Sequence, residues 1–224
     1  MIKKFTFYPV IIILAGFLIL TTGCDKVEPK EPLKDIDGNI YETVTILTQE
    51  WMAEDLKTTK LNDGSPIIYI SDNLAWSSLI TPGYCWYDNE VVNNFKFGAL
   101  YNWYTVSSQK LCPEGWHVPT HDDLLTLANN LGGSEIAGGK LKETSHWETP
   151  NQGATNSYGF TSVPGGFRET DGIFSSTNQM SGYWSSTPSG DTYARTIELY
   201  YDTNSAVIGE VNLKKGFAVR CVKN

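Results

Sequence analysis

The chain has 224 residues, with 17 basic against 25 acidic side chains and a formal net charge of −8 at pH 7. That balance argues against a nucleic-acid binder, which carries a basic patch, and suits a surface kept soluble by its charge. At 41% hydrophobic and 12% aromatic residues, there is enough apolar side chain for one packed domain behind a short leader.

Lys3 and Lys4 precede an apolar run from Val10 to Leu20, which small residues then end. A basic end, a short apolar segment and small residues make a secretory signal. The run is shorter than the roughly 20 residues a membrane-crossing helix needs, and Pro9 disfavours extending it backwards. Thr21-Thr22-Gly23-Cys24 resembles the end of a bacterial lipoprotein signal, where the cysteine is acylated and becomes the first residue. The alternative is ordinary cleavage with Cys24 a bystander thiol. A cysteine left at the cleavage point of an exported chain favours lipidation. Residues 1–23 are therefore expected to be the signal. Residues 24–34, charged and with two prolines, should form a lipidated, flexible tether, and residues 35–224 the domain.

Asp35-Ile36-Asp37-Gly38-Asn39 opens the domain. It looks like the start of a calcium loop, but an EF-hand needs glycine sixth and glutamate twelfth. Here glycine is fourth and Ile46 is twelfth, so a turn is expected. Ile40–Leu47 and Gln49–Leu56 read as strands. Asn62-Asp63-Gly64 is a turn, and Asp72–Ser78 a short helix capped by Ser71 or Asp72. The segment after Asn89 reads as a loop. Gly98–Val106 reads as a buried helix, with Leu100, Trp103 and Tyr104 on one face. The clearest helix runs from Asp122 to Leu131, capped by Thr120 or His121, carrying aspartates in its first turn and ended by Gly132-Gly133. Glu135–Thr144 is a second helix despite Gly138-Gly139. Beyond Ser145, turn residues separate short apolar islands at 160–163, 182–186, 193–200, 206–208 and 216–222. The last three are expected to form an antiparallel meander that closes the domain.

Little here points to chemistry. His117 and His121 are four apart, but Pro119 between them breaks the helical spacing a shared metal would need. His146 reads as a surface or stacking residue beside Trp147. Serines 175, 176, 185 and 186 lie outside any nucleophile-elbow motif. Asp122 and Asp123 are explained by helix capping. Export to an oxidising compartment permits a disulfide, and Cys85, Cys112 and Cys221 leave three pairings open.

Taken together, several segments resemble the major paralogous domain named after Fibrobacter succinogenes. They are Asp35–Tyr41, Trp51–Leu56, Cys85–Asn89, Tyr101–Tyr104, Cys112–Thr120, Gly182–Thr187 and Phe217–Val222, in the family's order and covering nearly all of residues 35–222. That family is mostly found on exported proteins and lipoproteins, and its biochemical role is largely unassigned. It is distantly similar to C-type-lectin-like and formylglycine-generating-enzyme-like domains. The resemblance implies a single α+β, C-type-lectin-like domain with two or three short helices and twisted antiparallel strands. It also implies a Cys112–Cys221 disulfide, with Cys85 left over. The copper-binding cysteine pair of formylglycine-generating enzymes is absent, since Cys221 stands alone. So is the Trp-Asn-Asp triplet of calcium-dependent lectins, and Glu148-Thr149-Pro150-Asn151 is one insertion away from their other triplet.

The expectation is a non-catalytic binding module needing no cofactor and no metal, held to the cell envelope through Cys24. It would bind a glycan or a protein through loops between residues 145 and 192. A structural component of the envelope is the alternative, and an enzyme with an unseen site the second. Cys112, Glu114 and His117 lie close in sequence, but the prolines and glycine of Cys112–Thr120 make that stretch a scaffold, with Trp116 plugging the core.

Overall fold

The computed structural model describes residues 1–4 and 31–224. Cys24, the apolar run and most of the expected tether lie outside the described residues. In chain order the elements are β1 (Leu33–Lys34), β2 (Ile40–Tyr41), β3 (Thr43–Ile46), β4 (Gln49–Met52), β5 (Ile68–Tyr69), α1 (Asn73–Ser78), β6 (Gly83–Cys85), α2 (Asn93–Phe97), β7 (Leu100–Tyr101) and α3 (Trp103–Val106). They continue with β8 (Trp116–His117), α4 (His121–Asn130), α5 (Ser134–Leu141), β9 (Phe167–Arg168), β10 (Phe174–Ser175), β11 (Met180–Ser189), β12 (Tyr193–Tyr200), β13 (Ala206–Asn212) and β14 (Val222–Lys223). This is an α+β fold, with five short helices among the described residues where two or three were expected. None is long and apolar enough to cross a membrane.

The opening turn is built by Asp35. Its carboxylate accepts the backbone N–H groups of Asp37 and Asn39 (3.0 and 2.9 Å), the Asn39 amide (2.8 Å) and the Tyr41 hydroxyl (2.6 Å). Asp37 in turn accepts from Thr58 and Thr59 and pairs with Lys60 at 3.0 Å. Both carboxylates of the calcium-like motif are thus occupied by turn and loop contacts. Leu33 and Lys34, at the end of the expected tether, already pair with Tyr41 and Ile40. The fold therefore begins two residues before the expected boundary.

The meander is β11–β12–β13, antiparallel throughout. Residues 216–222 are not its third strand. They run instead between the other sheets. Phe217 exchanges backbone bonds with Tyr101 (2.9 and 3.1 Å), and Ala218 bonds Gly182 and Trp184 (3.0 and 3.1 Å). Val219 accepts from Leu56 and Cys221 from Met52 (2.9 and 3.0 Å). β14 then lies between β4 and β8 in the order β3–β4–β14–β8. Alternation correctly marked the segment as extended, but its partners lie far away in sequence.

The expected helix from Gly98 to Val106 is only α3. Leu100 and Tyr101 are held extended by Cys85, Tyr84 and Phe217, so tertiary pairing overrides local propensity. Asn102 then caps α3, its side chain accepting the Thr105 N–H. Gln49–Leu56 stays a strand only to Met52. The island at 160–163 forms no strand beyond a bridge at Ser162, while α2 forms in the segment expected as a loop.

Gly138 and Gly139 mark a close approach rather than a weak helix. A Cβ at Gly138 would lie 2.2 Å from the Ser205 carbonyl oxygen, and one at Gly139 would lie 2.4 Å from that of Gly153. Gly139 also donates to the Asn204 carbonyl at 2.9 Å. The two glycines let α5 touch the loops ahead of β13.

Cys112 and Cys221 form the disulfide that the resemblance implied, across a separation of 109 residues. Both sulfurs sit in the core with Met52, Trp184 and Val219. In the chain-entropy account such a closure contributes about 4–5 kcal/mol. Cys85 is free and buried, and burial pushes its thiol up to about 12, well out of reactive range.

Two substitutions test this architecture. Gly138→Ala should destabilise by about 1–3 kcal/mol, because its methyl meets backbone that has no room to move. Arg220→Met should cost about 3–5 kcal/mol by leaving Asp55 buried without its cation. Urea unfolding of the oxidised protein measures both, and wild-type stability in either variant would contradict the packing described.

Candidate binding site

The stretch Cys112–Thr120 was expected to be scaffold, and it also forms one wall of a cleft. Pro113 and Gly115 turn the chain, with the Trp116 N–H donating to the Pro113 carbonyl at 3.0 Å. β8 then pairs with β14, Trp116 opposite Lys223 and His117 opposite Val222. This pairing places Trp116 at the surface. Its side chain is half-buried and lines an open cleft of about 340 Å³. The expectation that Trp116 plugs the core holds only in part: it packs against the core cluster from the cleft side, while Trp51, Trp76 and Trp184 are the fully buried indoles.

The buried side chains of Val106, Leu111, Cys112 and Val118 form the floor of the cleft, and Gln109, His117, Ser186 and Asn224 its polar rim. The rear is held firmly. Register slips between Trp184 and Pro188, and this bulge frees Ser186 to donate its N–H to the Pro119 carbonyl at 2.8 Å. Trp103 donates its indole N–H to the Ser185 carbonyl at 2.9 Å.

His117 lies between two groups, with Nδ1 2.7 Å from the Asn224 side-chain oxygen and Nε2 3.1 Å from Asp123. Asp123 also accepts from the Thr120 N–H and hydroxyl (2.9 and 2.6 Å), which completes a capping box at the start of α4. Burial works to raise the Asp123 carboxyl, but hydrogen bonds from Thr120 and His117 outweigh it and hold the group below its usual range. His121 does not join His117. Its backbone N–H caps onto the Thr187 hydroxyl at 2.9 Å, and no cluster of metal-ligating side chains occurs among the described residues.

A smaller cleft of about 90 Å³ lies over the buried Asp55–Arg220 pair. Arg220 donates through Nε to Asp55 at 2.6 Å, and its other nitrogens reach the Phe160 and Thr161 carbonyls. Burial pushes Asp55 upward against the pull of Arg220, whose guanidinium stays protonated. Glu54, Lys57, Asn94, Phe95 and Lys96 surround this pair.

Two other arrangements with catalytic potential are occupied structurally. Lys142 is drawn down to about 8 by burial, yet its ammonium donates to the carbonyls of Gln152, Tyr200 and Thr203 (3.0, 2.8 and 2.9 Å). Ser145 and Glu143 both approach Nδ1 of His146 (3.0 and 2.9 Å), so they cannot form a relay through its two nitrogens. Residues 145–192 give the Trp116 cleft only Ser186, on β11, and the smaller one Thr161 and Val163; a cleft of about 440 Å³ between α4, α5 and β13 draws on none of them. Gln109 and Asn224 were not singled out from the sequence. Neither lies in a motif, and the cleft assembles them from segments far apart in the chain.

The architecture is that of an α+β domain clamped by one core disulfide, with its concave surface at the rim of the small sheets. The chain belongs to the Fibrobacter succinogenes major domain family, whose model matches residues 44–223. Comparison with curated proteins gives no match.

The Asp123 contacts make a pH-resolved prediction. A carboxyl held below its unfolded value contributes stability above the unfolded pKa, near 3.9, and loses it as pH falls through the folded value. Asp123→Ala should therefore cost about 0.5–2 kcal/mol at pH 7, and this difference from wild type should shrink as pH falls below the unfolded value near 3.9. Urea titrations on either side of that value measure it, and a pH-independent difference would contradict the assignment.

Proposed function

We propose that this chain is an exported lipoprotein of the bacterial cell envelope whose domain binds a glycan or a protein without catalysing a reaction. The observation that carries the reading is the Trp116 cleft. It is concave, floored by apolar side chains and ringed by a few polar groups, and its volume lies within the roughly 300–1,000 Å³ of ligand sites. The perturbed ionisable groups elsewhere support a binding role, because Lys142, Asp55 and Cys85 each serve the core rather than a converging site.

Residues 1–23 are the signal in this reading. Cys24 carries the acyl chains, and the residues up to the start of β1 space the domain from the lipid. Multiple chains at about 0.8 kcal/mol per buried CH₂ anchor firmly. The outer membrane or cell surface is the favoured location, facing external partners.

Val91, Val92 and Phe95 are 64%, 65% and 82% exposed. That apolar patch favours a second reading, in which the domain assembles with another envelope protein or another copy of itself.

Radiolabelled palmitate should enter the wild-type protein and not Cys24→Ser. Protease treatment of intact cells should remove the domain. Glycan-array and pull-down screens of oxidised protein should yield a ligand, whereas a stable oligomer by light scattering with blank screens would favour the assembly reading. An unlabelled wild-type chain would overturn the lipid anchor.

A further inference from the structure

We infer that the Trp116 cleft takes an uncharged saccharide, stacked on the Trp116 indole and held by neutral polar side chains. This rests on the binding reading above and narrows it to one site and one chemical class. The lining decides the class. None of the residues forming the cleft is Asp, Glu, Lys or Arg, although 19% of the chain is charged. An anionic ligand is recognised through arginine or lysine, by charge-assisted and often bidentate bonds. A cationic ligand calls for a carboxylate or an aromatic cage. The Trp116 cleft offers neither a cation nor a carboxylate in its lining and has one indole. The smaller cleft shows the contrast, with Glu54, Asp55, Lys57, Lys96 and Arg220 in its lining.

What the rim does offer matches hydroxyl groups. Gln109 carries an amide with two donors and an acceptor, Ser186 a hydroxyl, and Asn224 two amide donors, its oxygen being held by His117, whose second nitrogen meets Asp123. A sugar hydroxyl is both donor and acceptor, so a row of such groups pairs with neighbouring hydroxyls without a charge being buried. A pyranose also has an apolar C–H face, which suits an amphipathic aromatic plate such as Trp116. The site is pre-organised. The floor is pinned by the Cys112–Cys221 disulfide, the rear by the Ser186–Pro119 bond, and Asn224 by its N–H donating to the Gly115 carbonyl at 3.0 Å. A rigid site loses little freedom on binding.

The test uses the full-length, lipidated, oxidised protein in detergent. Its probes are cello-, malto-, xylo- and manno-hexaose, with hexagalacturonate as the acidic comparison, chitosan hexamer as the cationic one and an unbiased peptide library. Isothermal titration should find at least one neutral oligosaccharide bound at least tenfold more tightly than either charged one. Trp116→Ala should weaken that binding at least tenfold and Gln109→Ala several-fold. Gln109 is exposed, so its variant keeps the test valid even where loss of the indole disturbs folding. Hydrogen exchange on wild-type protein should show protection confined to residues 106–118, the segment around Ser186 and the C-terminal residues. Neutral-sugar binding unaffected by both variants, with protection elsewhere, would overturn the site and leave the binding function standing. Tighter binding of the acidic sugar, the cationic sugar or a peptide would overturn the ligand class alone. Blank titrations together with blank envelope pull-downs would overturn both.

Discussion

The path of residues Gly216–Val222 through the middle of the domain is the constraint on which the rest depends. Within seven residues the backbone pairs with Arg168, Tyr101, Gly182, Trp184, Leu56, Met52 and Trp51. Small sheets of two to four strands gain little stability alone. Here one late segment supplies the bonds that join them. The disulfide at Cys221 and the Arg220 side chain both act on that segment and hold it from either side of the backbone.

Buried cations do in the loops what ladders do in the sheets. The Arg168 guanidinium donates to the carbonyls of Gly172, Ile70 and Ser71 (2.8, 2.5 and 2.9 Å) and to the Asn73 amide oxygen (3.0 Å). It lies between the rings of Trp76 and Phe174, at 4.6 and 4.8 Å. Lys142 and Arg220 repeat the arrangement against Trp147 and Phe160. Buried carbonyls in irregular segments need donors, and a charged side chain with several N–H groups satisfies two or three at once. Each such bond is worth about 1.5–3 kcal/mol. The cost is the desolvation of the cation, which aromatic faces offset in part. The same arrangement, by burying them against their structural partners, accounts for the perturbed titration of Lys142 and Asp55.

The cleft follows from this scheme. β14 brings β8 to the edge of a sheet, the bulge in β11 turns Ser186 toward Pro119, and α3 ends beside both. None of these elements makes a site alone. Trp116 is half-buried rather than enclosed because the strand that carries it is an outer one, and its cleft exists because Asn224 and Gln109 reach the same rim. The concave surface is therefore a by-product of how the C-terminal segment is clamped, with the disulfide as its floor.

Local chemistry determined what was legible in the sequence. Asp72 and Thr120 cap helices through their own side chains, and Asp35 closes its own turn. Tyr193–Tyr200 alternates and forms a strand with those bounds. Six of the seven segments that resemble the family fall within residues 44–223, which its model matches, and Asp35–Tyr41 lies ahead of them. What the sequence alone left undecided was partnership across distance. Leu100 and Tyr101 have helical neighbours yet lie extended because Cys85 pairs with the first and Tyr84 and Phe217 with the second, and residues 216–222 alternate like a meander strand yet cross between sheets. Whether a tryptophan is core or cleft wall depends on which remote segment covers it, and a single strand's periodicity carries no record of that. The sequence by itself determined the turns, the caps, the family and the cysteine set. Only the tertiary structure decided which strands meet and where a ligand has room, because both depend on contacts between residues a hundred positions apart.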